Sequence, residues 1–174
     1  MSTSFGKKLY KNAIHSFPLI IFFLLVLTGF DLSFYFYDTN FSFNFIYIVI
    51  FYWILKKPER LGYGLIFLAG IIHDVVQNFP IGISSINFLL LCVIATFIRT
   101  RTLLPKLSYD WVLFFIAIII ISSINYNILT LVFERPIQYG TLMATSFITF
   151  LVYPIFSKIF NRVYIMDLRQ ENAE

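Results

Sequence analysis

The sequence predicts an all-α integral membrane protein, a compact bundle of six transmembrane helices. Three observations carry this. Of the 174 residues, 59% are hydrophobic and only 13% are charged, with a mean hydropathy of +0.83. Soluble domains carry about half apolar and about a quarter charged residues, so a soluble fold of this size would leave much apolar surface in water. Apolar runs of roughly 20 residues, the length that crosses a ~30 Å hydrocarbon core, recur along the chain. The cations gather in alternate connections.

The first predicted span is Phe17 to Phe36. Lys7, Lys8 and Lys11 precede it as they would in a signal peptide, but its apolar stretch is too long and no A-x-A cleavage site follows. A retained helix is expected. The second span, Phe41 to Leu55, is short for a bilayer. Flanking Phe, Tyr and Trp53 would have to extend it at the interfaces, or it is partly re-entrant. The third runs from Leu61 to Phe79, the fourth from Ile81 to Ile98, the fifth from Asp110 to Phe133 and the sixth from Ile137 to Phe160.

With six spans, one side receives both termini and the loops 56–60 and 99–109. That side holds Lys7, Lys8, Lys11, Lys56, Lys57, Arg60, Arg99, Arg101, Lys106, Lys158, Arg162 and Arg169; the other holds Arg135 alone. This asymmetry predicts cytoplasmic termini. The net charge of +4 then reflects topology and anionic headgroups, and no nucleic-acid partner is implied. Residues 1–174 read as a single transmembrane domain with short tails at about 1–16 and 161–174, with no room for a soluble catalytic or nucleotide-binding module. The single cysteine, Cys92, reads as a small core residue.

Polar residues inside such spans are few, so each needs a reason. Asp74 lies in the outer half of the third span, where a charge costs roughly 2.5–3.5 kcal/mol on insertion scales and should face the interior beside a donor. Phe67, Gly70, Asp74 and Asn78 share one helical stripe by spacing. Gly70 would admit a close neighbouring helix. Pro80 is expected to stop the third helix and Gly82 to free the turn, with Ser84, Ser85 and Asn87 as caps and donors. Two readings follow for Asp74: a tie between the third and fourth helices, or a docking or ligand site.

His73 points about 100° away from Asp74, which argues against a catalytic pair. The other histidine, His15, is at the far end of the first span, so no metal site is expected. No nucleophile or zinc-protease motif occurs. Ser122, Ser123, Asn125 and Asn127 form a polar cluster best read as interhelical hydrogen bonding. Asp31, Asp38, Glu134 and Arg135 are expected near the outer surface, where Arg135 pairs with one of the acids.

Trp53 and Pro58 around the second loop, then Phe67, Gly70-x-x-x-Asp74 and Gly82, with Arg99-x-Arg101 closing the fourth span, resemble the bacterial rod shape-determining family MreD. That family shows a similar P…F-x-x-G-x-x-x-D-x(7)-G pattern. His73 departs from it, standing where an apolar residue is usual. The resemblance implies a non-enzymatic inner-membrane component of the elongation machinery without cofactor. Its implied partners are MreC, the actin-like MreB, a SEDS-family glycosyltransferase and a class B transpeptidase, within the lipid bilayer. Pro58, Phe67, Gly70, Asp74, Pro80 and Gly82 would form its structural or docking motif. The implied fold is similar to the substrate-binding subunits of energy-coupling-factor transporters. That fold also raises a rival, a small-solute-binding subunit of a transporter. The rival usually has small, Ala-rich packing in the first helix, and residues 17–36 contain no alanine.

Overall fold

A computed structural model of the protein describes residues 2–29, 32–36, 39–101, 107–134 and 138–171. Six α-helices lie among them: α1 (Ser2–Thr28), α2 (Phe45–Lys56), α3 (Tyr63–Val76), α4 (Ile83–Arg101), α5 (Leu107–Asn127) and α6 (Tyr139–Glu171). A π-helical turn, Ile128–Val132, extends α5. Among the described residues three segments are long and apolar enough to cross a membrane: Ile83–Arg101, Tyr109–Val132 and Tyr139–Arg169. Ile14–Thr28, Phe45–Lys56 and Tyr63–Val76 are shorter apolar helices.

Between α1 and α2 the chain forms an antiparallel hairpin, β1 (Leu32–Phe36) and β2 (Thr39–Phe43). This corrects the purely helical expectation and the inner boundaries of the first two spans. Helix α1 ends at Gly29, whose φ of +56° suits glycine. Beyond it the sequence alternates with period two, Leu32-Ser33-Phe34-Tyr35-Phe36 against Asn40-Phe41-Ser42-Phe43, which is a strand pattern. The register sets Leu32 opposite Phe43 and Phe34 opposite Phe41, with Ser33 opposite Ser42.

Helix α2 is the hub. Every residue from Phe45 to Leu55 except Tyr47 is buried. A helix that is apolar all round suits a protein core or a bilayer, and here its neighbours cover it. Its 12 residues span only ~18 Å, and a helix sheathed by its neighbours need not match the bilayer thickness. Trp53 is 1% exposed and packs within the core at its Tyr52 and Phe160 neighbours, so it does not extend the helix at an interface. Phe51 meets the rings of Phe114 on α5 and Tyr153 on α6, and Phe45 meets Phe156 at 4.3 Å. Cys92 is buried in the same core.

Pro154 interrupts the hydrogen bonding of α6. It has no N–H to give to the carbonyl of Phe150, four residues earlier. The indole N–H of Trp111 on α5 donates to that carbonyl at 2.7 Å while its ring stacks on Phe150 at 4.7 Å. A residue that would weaken one helix thereby locks two together. The hydroxyls of Ser122 and Ser146 join the same pair at 2.7 Å. Helix α6 has 33 residues and is ~50 Å long, so its C-terminal end runs past any ~30 Å core. The predicted tail from 161 is helical as far as Glu171.

Candidate functional site

The answer to Asp74 lies in the turn that follows it. Helix α3 ends at Val76, not at Phe79 as the sequence suggests. The stop is Asn78 in the left-handed region (φ 55°), rather than Pro80. The Phe79 N–H donates to the Asp74 carbonyl at 2.9 Å and the Asn78 N–H to the Val75 carbonyl at 3.4 Å. This is the double closure that follows a left-handed residue at a helix C-terminus; Pro80 comes just after, where it cannot continue the helix. Asn78 therefore leaves the helical stripe and is exposed.

The turn brings the start of α4 back over the Asp74 side chain. Asp74 is 0% exposed. Its Oδ2 accepts the Gly82 N–H at 2.7 Å and its Oδ1 accepts the Ser84 N–H at 3.0 Å. Those amides belong to the first turn of α4, whose N–H groups have no partner within their own helix. Asp74 thus caps a helix from its neighbour, and its charge sits at the positive end of the α4 dipole. The sequence expectation placed side-chain donors here; the donors are backbone amides. Gly82 has φ +103°, while a Cβ there would meet nothing within 4 Å, so backbone conformation rather than space requires glycine.

One turn along α3, a Cβ on Gly70 would stand 2.5 Å from Ser85 Cα and 2.6 Å from Ser85 N. The two backbones touch. Ser85 Oγ donates to the carbonyl of Phe67 at 2.9 Å, and His73 Nδ1 lies 3.0 Å from Ser84 Oγ. The Phe67 side chain itself is 44% exposed, so its carbonyl and not its ring serves this contact. His73 and Asp74 meet the same residue through different atoms, His73 the Ser84 hydroxyl and Asp74 the Ser84 amide. Gly70, Asp74 and Gly82, with Pro80 in the connection, meet in one hairpin. Pro58 stands apart, opening the 3₁₀ turn Pro58–Arg60 at the other end of α3.

At that other end is a charge cluster that the sequence reading missed. Asp167 Oδ2 on α6 accepts from Arg60 at 2.6 Å and from Lys57 at 3.0 Å. Lys56 reaches Asp110 on α5 at 3.2 Å. His15 on α1 lies against Arg60. Asp167 lies beyond the predicted span end at Phe160. Burial alone would raise its carboxyl, but the hydrogen bonds from Lys57 and Arg60 outweigh this and hold it below the ordinary carboxylate range. Lys56, Lys57 and Arg60 thus tie α2 and its following turn to α5 and α6. Their role as topology signals hid this, and the acids lie over fifty residues away in sequence.

Of the polar cluster on α5, Ser122 bonds across to α6, Asn127 Nδ2 bonds back to the Ser123 carbonyl at 2.8 Å, and Asn125 faces a cavity. Asp31, Asp38 and Arg135 lie outside the described residues; Glu134 is exposed. Comparison with known proteins finds no matching family model, no similar curated protein and no matching solved structure.

Proposed function

We propose that this chain is a non-enzymatic, MreD-like component of the bacterial elongation complex, held in the inner membrane by six spans. It would support lateral peptidoglycan synthesis and cell shape through MreC. The observation that carries the reading is the hairpin. The F-x-x-G-x-x-x-D-x(7)-G spacing at Phe67, Gly70, Asp74 and Gly82 corresponds to one set of contacts between α3 and α4. Such a spacing reads as one physical unit rather than a chance scatter of common residues. The exposed apolar faces, such as Ile86, Val93 and Phe97 on α4, suit lipid or a partner's helix. MreC's transmembrane or juxtamembrane segment is the expected partner there, with MreB, the glycosyltransferase and the transpeptidase in the wider assembly.

The test is isolation from mild detergent together with a clean deletion. MreC is expected to copurify, and the deletion is expected to turn rods into rounded cells. Normal rod shape and normal wall growth in the deletion would remove the proposal. In this reading the apolar part of α1, the buried α2 and the short α3 complete six spans, and the asymmetry of Lys and Arg puts both termini in the cytoplasm. A reporter fused after Glu174 should then be cytoplasmic and one inserted at Asn40 external; an external C-terminus would show an odd number of spans.

A second reading, the small-solute-binding subunit, is favoured by a cavity of mixed polar and apolar lining at the hairpin end of the bundle. The deletion and the copurifying molecules separate the two readings.

A further inference from the structure

A groove between the start of α3 and the middle of α4 holds about 430 Å³ and is lined by Tyr63, Leu89, Cys92, Val93 and Thr96. Cys92 is buried, while Tyr63 and Val93 are exposed. The two hydroxyls of the lining are spent on each other, since Tyr63 Oη and Thr96 Oγ1 lie 3.1 Å apart. The surface that remains is apolar and suits a hydrocarbon chain.

Helix geometry fits this groove to one leaflet of a bilayer. Leu89, Cys92, Val93 and Thr96 share one stripe of α4 by i, i+3, i+4 spacing, and Arg99 follows Thr96 by three residues on the same side. From Leu89 to Arg99 the axis rises ~15 Å, half of a ~30 Å hydrocarbon core. Helix α4 is itself long and apolar enough to cross a membrane. With Arg99 at headgroup level, the groove reaches as deep as an acyl chain does.

The charge at the mouth selects the headgroup. Arg99 and Arg101 are exposed, and among the described residues no acid pairs with either. Glu59, exposed in the turn before α3, is the nearest acid to Tyr63 along the chain, so cations outnumber acids here two to one. A partner's helix brings cations of its own to this end by the positive-inside bias, so it does not supply the missing anion. A phosphodiester does, and basic recesses between membrane helices hold such headgroups.

We infer that the groove is a binding site for an anionic glycerophospholipid, with one acyl chain against Leu89, Cys92 and Val93 and the phosphate at Arg99. The inference rests on α4 crossing a membrane and not on the MreC reading.

The test places the whole chain, without partners, in nanodiscs of zwitterionic lipid. A trace of phosphatidylglycerol or phosphatidylcholine is added, each with the same diazirine-bearing acyl chain, and photolabelled residues are mapped by peptide mass spectrometry. Phosphatidylglycerol is expected to label residues 89–96 about fivefold more than phosphatidylcholine does, the scale of one cation near a membrane surface. At Ile116 and Ile120, exposed on α5, the two lipids should label equally. Arg99→Gln should bring the groove to the same equality with helical circular dichroism unchanged. If that variant fails to fold, salt at about 0.5 M on the unaltered chain serves instead, because screening should shrink the preference. Equal labelling of the groove by the two lipids would make it an ordinary lipid-facing hollow and overturn the inference. So would a preference that survives Arg99→Gln, or survives salt where salt stands in for it. A groove that neither lipid labels would overturn it too, and would leave the hollow to a second copy's helix.

Discussion

Replacing Asp74 with alanine is expected to destabilise the protein by about 2–4 kcal/mol. The Ser84 N–H is left buried without an acceptor, at ~1–3 kcal/mol, and α4 loses its cap, at ~1 kcal/mol. The dipole of α4 loses its counter-charge as well. Asp74→Asn retains one acceptor oxygen, so it keeps one of the two bonds, but its NH₂ then faces the other backbone N–H. The asparagine variant should fall between the parent and the alanine variant in unfolding midpoint. Denaturant unfolding in detergent, followed by helical circular dichroism, measures this order. The geometry leaves little for a proton-carrying role, since both carboxylate oxygens already accept backbone amides. If the asparagine variant kept parental stability yet lost all rescue of cell shape, the charge would be needed for function and the capping account would be insufficient.

What the sequence made legible was chemistry that acts locally or in bulk. Composition places the chain among apolar helical proteins. Spacing alone brings Gly70, Asp74 and Gly82 to one hairpin, because helix periodicity and a short turn act over fewer than fifteen residues. Hidden features depended on distant partners or on competition between local signals. Leu32–Phe36 and Phe41–Phe43 are apolar enough to read as the ends of two helices, and their alternation shows only when the period is counted. Pro80 is a loud stop signal, yet Asn78 acts first because asparagine tolerates the left-handed conformation. The all-round apolarity of α2 suits lipid and protein interior alike, and its shortness is resolved only when its neighbours cover it.

The charged end teaches the same lesson from the opposite direction. Cations beside a span announce which side faces the cytoplasm, and that statistical role says nothing of their contacts. Lys56, Lys57 and Arg60 find Asp110 and Asp167 only after α5 and α6 have packed around α2. The carbonyl of Phe150 is similar. Pro154 in the sequence predicts an orphan acceptor four residues earlier, but not that Trp111 will fill it. Asn87 reads as a cap from its place near the start of α4; that its Oδ1 is buried without a donor appears only once the neighbouring helices are in place. In each case the sequence poses the physical problem, an unsatisfied group or a buried charge, and the fold selects its partner.

Two glycines of α3 provide the second large effect, because alanine should act on them with opposite signs. In an exposed helix position Gly→Ala is stabilising by up to ~1 kcal/mol, since alanine has less backbone freedom to lose. Gly64 is exposed, and a Cβ there would meet nothing within 4 Å. Gly64→Ala should therefore be neutral or stabilising. At Gly70 the new Cβ would stand 2.5 Å from Ser85 Cα, against backbone that cannot rotate away. The helices would have to part, at about 1–3 kcal/mol for overpacking, and parting them stretches every bond across the hairpin. The Ser85 hydroxyl would draw back from the Phe67 carbonyl, and the Ser84 amide from Asp74. A net loss of about 3 kcal/mol is expected for Gly70→Ala, with a larger loss for Gly70→Val. Paired unfolding curves in the same detergent give both values, with each variant's helix content as the check on folding. Alanine raising the midpoint equally at positions 64 and 70 would show that α3 and α4 do not meet backbone to backbone.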